Sequence, residues 1–125
     1  MIDRTFTILA SFFGFTAVAA GAFGAHALRG YFDVHPETRA TFDTAVEYHL
    51  AHALALGLAA WAAARWPGGW SSAAGWLMSG GILLFSGSLY VLSFSRLRAW
   101  GMVTPVGGVA LLAGWASLAV AALRG

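Results

Sequence analysis

Long apolar stretches alternate with short polar ones along this chain. The apolar stretches cover residues 6–28, 44–64, 73–94 and 103–123. Each holds roughly the 20 mostly apolar residues that a helix needs to cross a bilayer, and only the second contains a charged side chain, Glu47. The pattern predicts four transmembrane helices.

Three short connections join the predicted spans. Residues 29–43 are rich in charged side chains and predict a wet loop, Trp66-Pro67-Gly68-Gly69 predicts a tight turn, and residues 95–102 form the third link. Because short links force consecutive helices to run antiparallel, we expect an all-α polytopic membrane protein, an antiparallel four-transmembrane-helix bundle. Residues 1–125 then form a single integral membrane domain.

The composition is typical of a membrane protein and excludes several other classes. Hydrophobic residues make up 59% of the chain and charged residues 10%, whereas soluble domains carry about 25% charged residues. The chain has no cysteine, which excludes disulfides, thiolate metal sites and cysteine nucleophiles. The basic residues are seven scattered arginines, so no basic patch predicts binding to nucleic acid.

The first span begins like a secretory signal, with Arg4 ahead of it and the small-residue pattern Ala17-Val18-Ala19 within it. Its apolar run is longer than the roughly 7–15 residues of a signal's hydrophobic region, so we expect it to stay in the protein.

The arginines are divided almost evenly between the two ends of the predicted bundle. They favour only slightly an orientation with both termini outside the cytoplasm.

Small residues follow one face of three predicted helices at helical spacing. Because helices in lipid associate through small residues and a few hydrogen bonds, we expect these faces to point into the bundle. The residues are Gly14, Ala17, Gly21, Gly24 and Leu28 in the first span, Gly75, Ser79, Ser86, Tyr90 and Ser93 in the third, and Gly107, Ala110, Gly114 and Ala121 in the fourth.

Four polar side chains of the third span, Ser79, Ser86, Tyr90 and Ser93, form a predicted polar seam with two interpretations. The serine hydroxyls can bond back to their own helix and let a neighbouring helix approach, or they can line a path used by a substrate. Hydroxyl contacts that serve packing are ordinary in membrane proteins, so we favour the packing role.

Four ionisable side chains form a candidate polar cluster in or beside the spans: His26, Glu47, His49 and His52. Such residues are costly in a bilayer and are functional hypotheses by default, and all four are expected near one membrane level. His49 and His52 share a helix face, whereas Glu47 points roughly 140° away from His52. We expect the histidines to serve mainly in hydrogen bonds between helices.

Histidines three apart on a helix can also bind Zn²⁺, Cu²⁺ or haem iron. The ligand set is incomplete here, because no carboxylate or thiolate is correctly placed beside the pair. We therefore predict no metal site and no cofactor. The chain contains no nucleophile elbow, Walker loop or H-E-x-x-H helix, so we do not expect an enzyme.

Five motifs occur in a specific order along the chain: GAFGAHAL at 21–28, EYHLAHALAL at 47–56, LFSGSLY at 84–90, TPVGG at 104–108 and GW at 114–115. Together they resemble a domain-of-unknown-function family of small four-span membrane proteins that includes bacterial YgdD and YwdK. The resemblance covers nearly the whole chain and implies a multi-pass protein of the bacterial inner membrane. It implies no biochemical activity.

Several residues match the family pattern by position: His26, Glu47, Tyr48, His52, Ser86, Ser88, Tyr90, Thr104 and Pro105. His49 departs from the pattern, because the family typically has glutamine at that place. Since glutamine is a poor ligand for zinc, the departure weakens a site built on two histidines. It favours His26, Glu47 and His52 as the members of a shared polar cluster.

Three hypotheses for function follow. The leading one is a non-enzymatic accessory or interaction subunit in the lipid bilayer, acting as a homo-oligomer or within a larger membrane complex. The second is a small-solute or proton-coupled transporter, which requires an oligomer because four short helices rarely enclose a pathway. The third is a metal or haem-binding membrane protein that uses His26 and His52.

Overall fold

The computed structural model describes residues 1–125 and is entirely helical. Five α-helices follow in chain order: α1 (Ile2–Ala25), α2 (Arg29–Val34), α3 (Arg39–Arg65), α4 (Gly69–Ser95) and α5 (Thr104–Arg124). Two 3₁₀ segments, Pro36–Thr38 and Arg98–Met102, precede α3 and α5. The prediction of an all-α protein is confirmed.

Three helical stretches are long and apolar enough to cross a membrane: Ile2–Ala25, Gly69–Ser95 and Arg98–Arg124, which contains α5. The span predicted at 44–64 lies within α3, which is not among these three. The position of α3 explains its lower hydropathy, because it lies between α1 and α4 and buries eleven residues against its neighbours. A face that is covered by protein can carry polar side chains that a lipid-facing helix excludes.

The segment predicted as a wet loop contains the short helix α2. Phe32 of α2 is buried, and its ring packs against Phe42 of α3 with the ring centroids 5.3 Å apart. The hydroxyl of Tyr31 donates a hydrogen bond to the backbone carbonyl of Ser93, near the end of α4. These aromatic side chains fold the segment against the ends of the long helices.

Consecutive long helices run antiparallel, as predicted. Later positions of one helix meet earlier positions of the next, which is the pattern of antiparallel packing. The paired positions are Thr16 with His49 and Gly24 with Phe42 for α1 and α3, and Met78 with Gly114 and Phe85 with Gly107 for α4 and α5.

The long helices do not close into a ring. α3 packs on α1 and α4, and α4 packs on α5, whereas α1 and α5 make no substantial contact with each other. Two surface grooves result. The front groove, between α1 and α4, is lined by residues that include Phe12, Thr16, His49, Leu83, Gly87 and Tyr90. The back groove, between α3 and α5, is lined by residues that include His52, Leu58, Trp61, Trp115, Ala119 and Ala122.

The hydrophobic core joins the start of α1 to the start of α4. Phe6 is fully buried and lies directly against Gly75, where a Cβ atom would overlap the phenylalanine ring. The same ring meets Trp76 edge-on, with the centroids 5.3 Å apart. This contact lies near the start of both helices, and the contact of Tyr31 with Ser93 lies at their other ends, so α1 and α4 run in the same direction.

The predicted small-residue faces are buried to different extents. On α5, the buried members are Gly107, Gly114 and Ala121. On α1, Ala17 and Gly24 are buried, but a Cβ atom at Gly14 would meet no atom within 4 Å. The prediction for α1 is therefore only partly right, because α1 packs mainly on α3 and only a narrow stripe of it is covered.

Gly107→Ala is expected to destabilise the protein by about 1–3 kcal/mol. A Cβ atom at Gly107 would overlap backbone atoms of Leu84 and Phe85, and a backbone cannot turn aside as a side chain can. Thermal unfolding of the purified protein in detergent measures the loss. Gly108→Ala is the matched control, because its Cβ atom would lie an ordinary 3.7 Å from the ring of Phe85. Equal melting temperatures for the two variants would contradict the close approach of α4 and α5.

Candidate functional site

α3 turns two histidines away from lipid. His49 and His52 are only 6% and 8% exposed, because they lie on the same face of α3 as Ala45, Leu56 and Ala59, which are fully buried. The two imidazoles bond to different neighbours, so each is the centre of its own hydrogen-bond network.

His49 connects three helices. Its Nδ1 atom lies 2.9 Å from the hydroxyl of Tyr90 on α4, and its Nε2 atom lies 3.1 Å from Oγ1 of Thr16 on α1. Thr16 donates its own hydrogen to the backbone carbonyls of Phe12 and Phe13, at 3.0 and 3.1 Å. With Thr16 donating to these carbonyls, its Oγ1 is assigned as the acceptor of the Nε2–H of His49, and Nδ1 as the acceptor from Tyr90. This assignment places the imidazole proton on Nε2.

His52 connects α3 to α5. The indole Nε1–H of Trp115 donates to Nε2 of His52 at 3.1 Å, and Nδ1 of His52 lies 2.8 Å from the backbone carbonyl of Tyr48. An indole can only donate and a carbonyl can only accept, so the imidazole proton of His52 lies on Nδ1. The two histidines thus adopt opposite tautomers.

The residues of the predicted polar seam divide between two roles. Ser79 and Ser93 donate back to carbonyls of their own helix, each at 2.8 Å. Ser86 instead donates to the carbonyl of Ala45 on α3 at 2.8 Å, and Tyr90 bonds to His49. The seam therefore contributes both local hydrogen bonds and bonds that join α3 to α4.

A further hydroxyl pair lies at the start of α5. Ser88 and Thr104 bring their hydroxyl oxygens to 2.6 Å, which joins α4 to α5. With this pair included, every buried side-chain nitrogen and oxygen atom of residues 1–125 has a hydrogen-bond partner.

The other two members of the candidate polar cluster lie elsewhere. His26 follows directly after the end of α1 and is exposed, and Glu47 is exposed on α3. The structure therefore does not bring His26, Glu47 and His52 together, and it places His49, which the resemblance ranked below them, in the most connected position. The cause is geometric, because α1 ends before His26 and Glu47 faces away from the buried stripe of α3.

Sequence reasoning missed two of the bonding partners, Thr16 and Trp115. Thr16 was a single hydroxyl within an apolar span, and nothing in its spacing indicated a partner on α3. Trp115 lies in the GW motif at 114–115, where the adjoining Gly114 lets α5 approach Met78 of α4. The GW motif itself was the one signal in the sequence, and it did not indicate which side chain the indole contacts.

The histidines do not form a metal-binding set. No group of three or more His, Cys, Asp or Glu side chains converges anywhere in residues 1–125. Both ring nitrogens of His49 and of His52 take part in hydrogen bonds, so neither ring offers a free lone pair to a metal or haem iron.

A family model described as "Protein of unknown function (DUF423)" matches residues 20–108. The chain belongs to the DUF423 family. Its similarity extends over whole relatives: it is 43% identical to the UPF0382 membrane protein YwdK of Bacillus subtilis strain 168, covering 97% of this chain and 98% of YwdK. It is 45% identical to the UPF0382 inner membrane protein YgdD of Escherichia coli strain K12, covering 99% of this chain and 93% of YgdD.

A third relative is the UPF0382 membrane protein SAB0533 of Staphylococcus aureus, 36% identical over 97% of both chains. No solved structure matches the chain. The matches confirm the resemblance to the family of YgdD and YwdK. Together with the three membrane-length helices, they establish this DUF423 protein as a multi-pass protein of the bacterial inner membrane.

Tyr90→Phe is expected to destabilise this DUF423 protein by about 0.6–1.7 kcal/mol, between the mean and the largest value found for hydrogen bonds between membrane helices. The substitution removes the hydroxyl that donates to His49 and leaves the ring in place. Chemical or thermal unfolding in detergent measures the change. Tyr48→Phe is the matched control, because the hydroxyl of Tyr48, a residue 42% exposed, forms no hydrogen bond within the protein. If both variants unfold like the wild type, Tyr90 does not hold His49.

Proposed function

We propose that this DUF423 protein is a non-enzymatic accessory subunit that crosses the bilayer four times and packs against a transmembrane helix of a partner protein along α4. The observation that carries the proposal is a pair of glycines on α4, Gly80 and Gly87, at which an added Cβ atom would meet no other atom within 4 Å.

The directions of the helices support a crossing by α3. α1 and α4 run the same way, since Phe6 meets Gly75 near their first turns and Tyr31, just beyond α1, meets Ser93 near the end of α4. The chain must therefore return to its starting side between α1 and α4. α3 is the long helix that connects them, and its 27 residues extend about 40 Å, more than the roughly 30 Å of a hydrocarbon core.

Single cysteines report the number of crossings, because the chain has no cysteine of its own. Asp33→Cys, Gly68→Cys and Ala99→Cys place one thiol in each exposed link between the long helices. A membrane-impermeant maleimide added to intact spheroplasts labels only thiols on the outer side of the membrane. With four crossings, Asp33→Cys and Ala99→Cys lie on one side of the membrane and Gly68→Cys lies on the other. If instead Asp33→Cys and Gly68→Cys lie on the same side and Ala99→Cys on the other, α3 does not cross.

The glycines of α4 fall into two groups. A Cβ atom at Gly75 or Gly81 would overlap a side chain of a neighbouring helix, so the packing of this chain requires them. A Cβ atom at Gly80 or Gly87 would meet no atom within 4 Å. Gly80 and Gly87 are seven residues apart and therefore lie on one face of α4. Small residues let the backbones of membrane helices approach closely, which fits a helix from another protein on this face.

The front groove lies beside the two glycines. It contains two adjoining hollows of about 180 and 390 Å³, both bordered by Thr16, His49 and Tyr90. Phe12 of α1 and Leu83 of α4 border the first hollow and are 59% and 63% exposed. A groove with apolar walls and no charged lining residue suits the van der Waals packing that joins membrane helices.

The buried polar groups support a structural role rather than catalysis. The hydroxyl of Tyr90 and both nitrogens of His49 and His52 are engaged between helices or with backbone carbonyls. A general base must reach a proton of the substrate through an available nitrogen or oxygen atom. Here those atoms bind the protein to itself, which is the role expected of polar residues that hold a membrane scaffold.

A photoreactive amino acid at Leu83 is expected to form a discrete adduct with a membrane protein in living cells, identified by mass spectrometry. Leu54 of α3 is the matched control position, because it is 72% exposed and lies in neither groove. Gly87→Ile is expected to abolish the adduct at Leu83 without lowering the melting temperature, since a Cβ atom at this position meets no atom within 4 Å and isoleucine is a better helix former than glycine.

The cross-linking experiment separates the alternatives. Only lipid adducts at Leu83, or a protein adduct that persists in Gly87→Ile, would contradict a partner helix on α4. An adduct at twice the mass of the chain would identify a second copy instead. A homo-oligomer fits both the accessory subunit and the transporter, and only solute or proton flux into liposomes that differs between the wild type and His52→Ala would favour the transporter.

A further inference from the structure

A hollow of about 240 Å³ lies at the end of the molecule where α3 and α5 finish and α4 begins. Arg65, in the last turn of α3, and Arg124, the last residue of α5, both line it. Cζ of Arg65 lies 5.9 Å from the ring centroid of Trp66, and Cζ of Arg124 lies 5.7 Å from that of Trp70. Two cations from two helices are thus held on aromatic faces around one hollow.

Acidic side chains do not neutralise these arginines. The ion pairs of the protein join the amino terminus to Asp3, His35 to Glu37 and Arg39 to Asp43. Gly125 also borders the hollow, and its carboxylate is beyond ion-pair distance of both guanidinium groups. Two arginines and one carboxylate leave the hollow with a net positive charge, which attracts anions.

Backbone donors add to the two arginines. α4 begins at Gly69 without a side-chain cap, and the N–H groups of Gly69 and Trp70 donate no hydrogen bond within the protein. Ser71 is fully buried, and its hydroxyl lies 2.9 and 3.1 Å from the carbonyl oxygens of Trp66 and Gly68, which fixes the turn. Unbonded N–H groups beside two guanidinium groups form a donor set for the oxygen atoms of a phosphate.

An apolar channel begins at the same tryptophan. Trp66 also lines the part of the back groove that runs between Leu58 and Trp61 of α3 and Ala119 and Ala122 of α5. This part has a volume of about 320 Å³, and all seven of its lining residues are hydrophobic. Tryptophans prefer the headgroup level of a bilayer. The cationic hollow and the apolar channel, which share Trp66 as a lining residue, together have the two-part shape of a phospholipid.

We propose that the hollow binds the phosphate of an anionic phospholipid, with one acyl chain in the adjoining part of the back groove. The guanidinium groups and the N–H groups of Gly69 and Trp70 contact the phosphate oxygens, and the net positive charge selects an anionic headgroup over a zwitterionic one. This lipid site goes beyond the proposed partner helix. It lies in the other groove, so either proposal can fail without the other.

Native mass spectrometry of the full chain in detergent tests the site, with phosphatidylglycerol, phosphatidylcholine of the same acyl chains and inorganic phosphate as probes. Arg65→Gln/Arg124→Gln is expected to weaken phosphatidylglycerol binding about 10–30-fold, the effect of losing two cationic contacts. Arg4→Gln/Arg98→Gln removes the same number of charges outside the hollow and is expected to keep the affinity of the wild type. Equal losses in the two double variants, or equal affinities of the wild type for the two lipids, would overturn the proposal.

Ala119→Trp separates the acyl chain from the headgroup. The indole fills the apolar channel without touching the arginines, so it is expected to weaken phosphatidylglycerol binding and to leave the melting temperature of the lipid-free protein unchanged. Two results together would assign the hollow to free phosphate and overturn the lipid proposal. Inorganic phosphate would bind in an arginine-dependent manner, and the affinity for phosphatidylglycerol would be the same in Ala119→Trp as in the wild type. If the glutamine variant does not fold, Arg65→Lys/Arg124→Lys replaces it. This variant keeps both charges and is expected to retain the preference for phosphatidylglycerol over phosphatidylcholine.

Discussion

Hydrocarbon offers no hydrogen-bond partner, so every polar group that enters it must find one inside the protein. This constraint explains the central place of α3. Its buried histidines bond to α1, α4 and α5, and its backbone carbonyl at Ala45 accepts from Ser86 of α4. The helix that is least suited to face lipid is therefore the one that lies between α1 and α4, and the bonds that satisfy its polar groups also hold the other long helices to it.

The opposite tautomers of the two histidines give this arrangement a direction. α4 and α5 supply the donors, the hydroxyl of Tyr90 and the indole N–H of Trp115, and α3 accepts from both. Each imidazole donates a hydrogen bond through its N–H group, His49 to Thr16 of α1 and His52 to the backbone carbonyl of Tyr48 on its own helix. Both networks end at backbone carbonyls. Reversal of the His52 network is opposed at both ends, because an indole cannot accept and a carbonyl cannot donate.

The sequence predicted three of the membrane-length helices and the antiparallel order of consecutive helices, because hydropathy and the lengths of the links depend on local residues alone. The span predicted at 44–64 stays a prediction, since α3 is not among those three helices. It could not predict the open arrangement, since short links fix the directions of neighbours but not whether α1 and α5 meet. The buried position of His49 was available from its face, shared with Ala45 and Leu56. The resemblance ranked His49 low as a metal ligand, because the family typically has glutamine at this position. Glutamine and a neutral imidazole each offer one donor and one acceptor side, so either residue can take the same hydrogen-bonding role.

The central position of α3 has a consequence for how the protein is made. α3 leaves the ribosome before the residues that complete its hydrogen bonds, because Tyr90 and Trp115 lie 41 and 63 residues after His49 and His52. In the proposed topology with four crossings, the two imidazoles oppose the entry of α3 into lipid until these residues are synthesised. Insertion of the first helical hairpin would then be thermodynamically coupled to synthesis of the second. In that topology, a nascent chain that stops after α3 lacks the partners that make a bilayer the better solvent for it.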